Sequence, residues 1–258
     1  MTVSKRFILL TLVAMFCAFS LTGIVQPAEA APVVLKFAGQ NPPEHFATVS
    51  MNEIAKEVAQ KTNNRVQIKV FPANQLGDYS LVYEELIRGT VQMACISFPS
   101  QFDNRMDLIY VQGYTSSYEQ VANVYDPNGW FFKKMDNFNS RLGVKLLGMY
   151  LEGMVGIGTV KPMKEPLNPK VDKGLLLRIP NMDVFKTALE GAGFRTISIP
   201  FADVYQSMQT GVCDGDTGYS IVAAYTTFGD VIKHWYNFNK NTECLGIMIS
   251  DKVWKKLS

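Results

Sequence analysis

Val33-Val34-Leu35-Lys36-Phe37-Ala38 reads as a strand, and residues 39–43 as the loop whose prolines stop it. Over 45–61 the apolar Phe46, Val49, Ile54 and Val58, with the small Ala55, recur with a period of about 3.6 residues, which predicts a helix with a charged outer face. Val66-Gln67-Ile68-Lys69-Val70-Phe71 alternates in from out and predicts a second strand. After a turn at 72–77, Leu81, Val82, Leu86 and Ile87 mark another helix closed by Gly89, and 91–97 is a short buried strand. Strand, helix, strand, helix, strand at these intervals implies right-handed βαβ crossovers and a mainly parallel sheet. Such sheets take ligands at the carboxyl ends of their strands, here the loops starting near Gly39-Gln40, at 74–78 and at 97–101.

Further along, a helix is expected over 117–135, interrupted at Asp126-Pro127-Asn128-Gly129, and a strand over 144–150. Residues 153–160 are Gly-rich and β-branched, suggesting a strand or a crossover between two lobes. Past Pro162, Pro166 and Pro169 the alternation restarts, with strands at 175–179 and 196–199 and helices at 183–191 and 202–210, the last ending at Gly211. That restart argues for two similar lobes rather than one long sheet. Residues 228–235 read as the continuation of a helical stretch and 245–250 as a strand. From Asp251 an amphipathic helix begins, with Val253, Trp254 and Leu257 on its apolar side. The expected architecture is α/β and two-lobed, each lobe a mixed, mainly parallel sheet flanked by helices, with a ligand cleft between. Residues 31–152 would form lobe I, completed by 243–258, and 153–242 lobe II.

Upstream, Lys5 and Arg6 precede a mostly apolar run over 7–25, and Ala28-Glu29-Ala30 follows. This is the order of parts in a secretory signal, with cleavage expected after Ala30. A run of that length is also enough for a membrane anchor across roughly 30 Å of hydrocarbon. Cys17 as a lipidation site is disfavoured by the bulky Phe16 before it. Lys, Asp or Asn interrupts every later apolar run, so a soluble protein outside the cytoplasm is expected.

The whole chain of 258 residues carries 25 basic and 23 acidic side chains; removing 1–30 takes away Lys5, Arg6 and Glu29 and leaves 23 and 22. This balance excludes a polybasic nucleic-acid binder, and 47% hydrophobic with 19% charged residues excludes a disordered chain. Beyond the leader stand Cys95, Cys213 and Cys244, with no CxxC spacing. One disulfide, Cys213 with Cys244, and three buried thiols both remain open.

Arg178 carries most information about chemistry. It lies at the end of an apolar strand, before Pro180, with no acidic residue within four positions. There a guanidinium presents a planar donor fork whose best complement is a carboxylate. Pairing with an Asp distant in sequence, or capping a helix, is the alternative. Among the aromatics, Tyr150, Phe201 and Tyr219 follow strands or sit in turns beside the expected cleft mouth. His45 and His234 show no metal spacing, Asp214 and Asp216 lack a third nearby carboxylate, and neither a Walker sequence nor GxGxxG is present. No cofactor is expected. A Cys213 nucleophile with His234 as base and Asp214 as orienter is the one catalytic reading, set against a simple turn at 211–215.

Taken in order, Ile54-Ala55-Lys56-Glu57-Val58, Lys61-Thr62, Phe71-Pro72, Gln75-Leu76-Gly77-Asp78, the strand at 174–180 with its Arg, Pro200-Phe201-Ala202-Asp203-Val204-Tyr205, Met208-Gln209-Thr210-Gly211-Val212 and Asp214-Gly215 resemble the solute-binding subunit of tripartite ATP-independent periplasmic (TRAP) transporters, the DctP-like family. The resemblance runs over essentially the whole chain after the leader. It implies a two-lobed, usually monomeric periplasmic protein that closes on an organic acid and delivers it to an ion-driven membrane permease. The family's signature arginine, bidentate to the ligand carboxylate, would be Arg178, with further contacts from Gln40, Asp78, Ser97, Phe98 and Phe201. Two departures matter. The second arginine of many sugar-acid binders is missing from 153–158, and the common Gln-Glu-Asn-Pro is here Asp216-Thr217-Gly218-Tyr219, so Gly218 replaces a typical amide contact. Both remove polar donors, which implies a monocarboxylate with a less hydroxylated, branched or aromatic body rather than a sialic or uronic acid. The resemblance also implies further C-terminal helices beyond this chain. An exported enzyme and a tethered sensor domain of the same architecture are the competing functions.

Overall fold

The computed structural model describes residues 31–257 apart from 114, 116, 239 and 240. The leader read over 1–30 lies outside the described residues, as does Ser258. The elements are β1 (Val33–Gly39), α1 (Phe46–Lys61), β2 (Val66–Phe71), α2 (Tyr79–Arg88), β3 (Met93–Ile96), a 3-10 segment Asn104–Tyr110, α3 (Tyr118–Val124), α4 (Trp130–Arg141) and β4 (Val144–Thr159). They continue with β5 (Leu176–Ile179), α5 (Asp183–Gly191), β6 (Arg195–Ser198), a 3-10 turn Phe201–Asp203, α6 (Val204–Thr210), β7 (Gly215–Ser220), α7 (Ile221–Phe228), β8 (His234–Tyr236), β9 (Thr242–Ser250) and α8 (Asp251–Leu257).

The strands run in the order β2-β1-β3-β9-β4-β7-β5-β6, with β8 paired to β4. Pairing is parallel in the two flanks, β2-β1-β3 and β6-β5-β7, as the βαβ pattern predicts. It is antiparallel wherever β4 or β9 takes part. The two lobes therefore share their central strands. Val144 to Met154 of β4 pair with β9, and Val155 to Thr159 pair with β7.

The Gly-rich run 153–158 is strand throughout, because its glycines admit close neighbours. A Cβ on Gly156 would stand 2.4 Å from the Trp235 ring, and Gly153 holds a φ of 124° beside a bulge in the β4–β9 ladder. Trp235 belongs to β8, so the helix expected over 228–235 is corrected: α7 ends at Phe228, and the chain returns as a strand that lies on β4. The turn expected at 211–215 leads directly into β7. This strand was hidden because Gly215, Asp216, Gly218 and Ser220 are not strand formers by composition; it is buried between β4 and β5 all the same.

Alternation places the cores on both faces of each half-sheet. Ala94 of β3 joins Leu86, Phe131, Met135 and Leu146, while its neighbour Cys95 joins Leu35, Phe37, Met51 and Leu245. In the second lobe Leu177, Ile179, Leu189 and Phe194 fill one face, and Val204, Met208, Cys213 and Phe228 the other. Among the described residues Cys95, Cys213 and Cys244 are free, buried thiols, which decides between the two possibilities left open by their spacing. Among the described residues no helix is long and apolar enough to cross a membrane.

Candidate ligand-binding site

In the first lobe the strand ends are tied by one side chain. Gln40, just after β1, accepts the Ser97 N–H at 2.9 Å and donates from Nε2 to the Ser97 hydroxyl at 3.1 Å. The Ser97 hydroxyl in turn donates over 3.4 Å to Oε1 of Glu243 on β9.

Across the cleft, Arg178 on β5 stands in register with Asp216 on β7. Its Nε donates to the Ile199 carbonyl at 2.8 Å, and its Nη1 donates to the Tyr219 hydroxyl at 3.3 Å and lies 3.5 Å from Asp216 Oδ1. The Tyr219 hydroxyl donates to the other Asp216 oxygen. Burial works against the Arg178 charge, but Asp216, then Tyr219 and Tyr79, outweigh it and hold the guanidinium firmly protonated. Burial pulls the Asp216 carboxyl upward while Arg178 pulls it down. The pair is read as ionised, because a buried guanidinium without a counter-ion costs several kcal/mol. Nη2 is left without a protein partner among the described residues.

Between these two constellations lies a small cavity with about 30 Å³ of free volume. It brings together Gln40, Ser97, Arg178, Phe201, Gly218 and Tyr219 of the nine residues singled out from sequence. Tyr79, Tyr110, Met182, Phe185, Thr217 and Glu243 also line it. Tyr110 meets Phe185 from the other lobe with ring centroids 5.1 Å apart, so aromatic contact closes one side.

The other three predicted residues are elsewhere. Asp78 is the N-cap of α2, its Oδ1 accepting from the N–H groups of Ser80 and Leu81, while the next residue, Tyr79, reaches the cavity. Phe98 is fully buried, with its ring against Gly246 and its carbonyl accepting the Tyr110 hydroxyl at 2.6 Å. Tyr150 packs on the opposite face of the sheet with the Phe37 and Leu245 core.

Sequence reasoning also passed over two buried acids, Glu152 and Glu243. Each is the one acid in a mostly apolar strand, the signal that would have found them. Glu152 follows Leu151 at the β4 bulge, accepts from Asn41 Nδ2 at 2.8 Å and lies 3.7 Å from His45 Nε2. Burial pushes its carboxyl up to about 7, and burial pulls His45 down, so near neutrality this contact is not an ion pair. His45 itself caps α1 through Nδ1, 3.2 Å from the Ala47 N–H.

The arrangement offered as catalytic is occupied otherwise. Both Asp214 oxygens are engaged, by Lys161 Nζ at 2.7 Å and the Leu176 N–H at 3.0 Å. The Cys213 thiol is buried and pushed up to about 11, which leaves almost no thiolate. Among the described residues no His, Cys, Asp and Glu cluster suits a metal ion.

Two lobes on shared central strands, with a cavity built from the strand ends of both, are the architecture of a two-lobed solute-binding protein. The chain belongs to the bacterial extracellular solute-binding protein family 7, DctP, whose model matches residues 37–258. It is 29% identical over 203 residues to the C4-dicarboxylate-binding periplasmic protein DctP of Vibrio cholerae, covering 77% of this chain. The chain spans 58% of the length of that relative. A TRAP periplasmic solute-binding protein from Haemophilus influenzae with bound L-gulonate superposes with a TM-score of 0.80 at 20% identity, covering 88% of this chain and 73% of that one. One from a Sulfitobacter species with bound β-D-galacturonate does so at 0.79 and 23% identity, covering 87% and 74%. The family is one of binding proteins, not enzymes.

Proposed function

We propose that the protein captures a small organic carboxylate in the periplasm through a salt bridge to Arg178 and passes it to the membrane subunits of a TRAP transporter for ion-coupled uptake. The observation that carries this reading is the pre-aimed guanidinium. Ile199, Tyr219 and Asp216 fix Nε and Nη1, and Nη2 remains for a ligand in the cavity. Closure excludes water and strengthens the pair. Tyr79, Tyr110, Phe185 and Phe201 line the cavity, and no lysine or second arginine does among the described residues. These walls favour a monocarboxylate with an apolar, branched or aromatic body over sialic or uronic acids. The partner change of β4 after Met154, and the return of β9 beside β3, support lobes of 31–152 with 243–258 and of 153–242. The protein works as a monomer, with 1–30 removed on export.

A thermal-shift screen over organic acids tests the reading. A ligand at 100 times its Kd stabilises by about 2.7 kcal/mol. Apolar monocarboxylates should raise the melting temperature, Arg178→Ala should abolish the shift, and Cys213→Ala should leave it nearly unchanged. A shift that survives Arg178→Ala, or tight uronate binding with none for apolar monocarboxylates, refutes it.

A further inference from the structure

We infer that the binding site has two chambers: the ligand carboxylate is held at Arg178, and the body of the ligand runs past Phe185 into a second, apolar cavity. The ligand is then a monocarboxylate with an alkyl or aryl-alkyl chain too long for the Arg178 cavity alone. The inference rests on the carboxylate reading above and narrows its substrate class.

The contact of Tyr110 with Phe185 is a partition rather than an outer wall. Behind it lies a second cavity, also with about 30 Å³ of free volume. Tyr110, Phe185 and Thr217 line both spaces, so these three side chains form the wall between them. The apolar side chains of the second cavity are Val155 and Ile157 from β4, Val184, Ala188 and Leu189 from α5, and Phe238. Gln112 and Asn241 add amides, and no charged side chain lines it among the described residues. Such a surface favours hydrocarbon and offers no counter-ion to a second charge on the ligand.

Size requires the two spaces to be used together. A water occupies about 30 Å³ of liquid volume, so neither cavity as it stands admits more than a group of that order. A carboxylate at Nη2 with any body attached must move part of the wall. Two members of that wall are anchored. The Tyr110 hydroxyl donates to the Phe98 carbonyl at 2.6 Å, and the Thr217 hydroxyl donates to the Gly156 carbonyl at 2.8 Å.

Phe185 has no polar atom to hold it and is half-buried. It stands in the first turn of α5, whose N-cap, Met182, supplies no side-chain hydrogen bond. A Cβ on Gly218 would lie 3.8 Å from Phe185 Cε1, and its absence leaves the ring room on that side. Phe185 is therefore the member that gives way, by turning about its side-chain bonds, and its displacement joins the two cavities.

Calorimetric titration of the full chain with acetate, butanoate, hexanoate and octanoate tests this. Each methylene that enters the second cavity should tighten binding about fourfold, so hexanoate should exceed butanoate by about tenfold or more. Ala188→Phe, which fills the second cavity, should erase the gain of hexanoate and octanoate and leave butanoate within about threefold. Phe185→Ala, which removes the partition, should weaken butanoate and spare octanoate. Circular dichroism checks the fold of both variants. Affinity that is flat with chain length, a gain that survives Ala188→Phe, an equal loss of every acid in either variant, or no heat from any acid overturns the inference. Octan-1-ol separates the two readings. If it binds as tightly as octanoate and loses that binding in Ala188→Phe, the second cavity stands and the carboxylate reading fails. Acids that bind without regard to length and are lost in Arg178→Ala sink the second cavity alone.

Discussion

Replacing Glu152 by Gln should make the protein markedly more stable above neutral pH and leave it little changed in mild acid. Glu152 sits at the β4 bulge, where burial raises its carboxyl from an ordinary 4.5 to about 7. Between those values the folded chain holds a proton that the unfolded chain has lost, so stability falls as pH rises through the window. The cost is absent below about pH 4.5 and complete above about pH 7. At about 1.4 kcal/mol per pH unit the gap corresponds to about 3 kcal/mol. Gln keeps an oxygen for Asn41 Nδ2 and removes the titration. His45, lowered by burial, gives the opposite slope below its ordinary value of 6.5, which makes the unmodified curve composite. The informative quantity is therefore the difference between variant and parent. Urea unfolding at pH 5, 6, 7 and 8 should show it growing by about 2–3 kcal/mol in favour of Gln, a gain that includes the relief of Glu243, which the Glu152 charge also raises. A difference that stays constant across this range refutes the assignment of a buried, proton-holding Glu152.

Other outcomes follow from single contacts. Arg178→Met and Asp216→Asn should each destabilise by about 3–5 kcal/mol, since each strands a buried charge, while the double variant costs much less than their sum; simple additivity would count against the ion pair. Gly215→Ala places a Cβ 2.4 Å from the Gly158 carbonyl and should cost about 1–3 kcal/mol or more in urea unfolding, whereas Gly191→Ala, which meets nothing within 4 Å, should be neutral or stabilising. Cys95, Cys213 and Cys244 should resist a thiol reagent until the chain unfolds and then react together; a lone reactive thiol in the unfolded state would show a disulfide.

The first flank was legible in its elements, because strand alternation and turn chemistry agree there and Gly89 at φ 86° closes a helix. The face of α1 was not: Phe46 and Val49, read as apolar-side residues, are exposed, and Ala47, Thr48 and Met51 are buried instead. The strand ends that build the cavity followed from the βαβ pattern, and Gln40 and Ser97 with them. Arg178 stood out as a charge in an apolar strand, but its partner Asp216 lies 38 positions away, and only the β5–β7 register joins them. The long β4 was obscured by glycines that serve packing rather than turns, and β8, only three residues long, is too short for a pattern to show. Asp78 shows a related ambiguity: a carboxylate at a strand-end loop suits a ligand contact or the cap of the next helix, and in this structure its Oδ1 caps α2.

The cavity owes its chemistry to how each lobe uses neighbouring parallel strands. In the first, β1 and β3 end side by side, and Gln40 spends its amide on Ser97 to fix both loops. In the second, β5 and β7 do the same with a charge pair, Arg178 and Asp216. Glu243 belongs to neither flank. It sits on β9, opposite Gly153 of β4, on the two strands that both lobes share. The Ser97 hydroxyl joins Glu243 on these shared strands to the first flank. In a chain with nearly equal numbers of acids and bases, Asp216 neutralises Arg178 inside the cavity, while burial and Glu152 hold the Glu243 carboxyl well above its ordinary range.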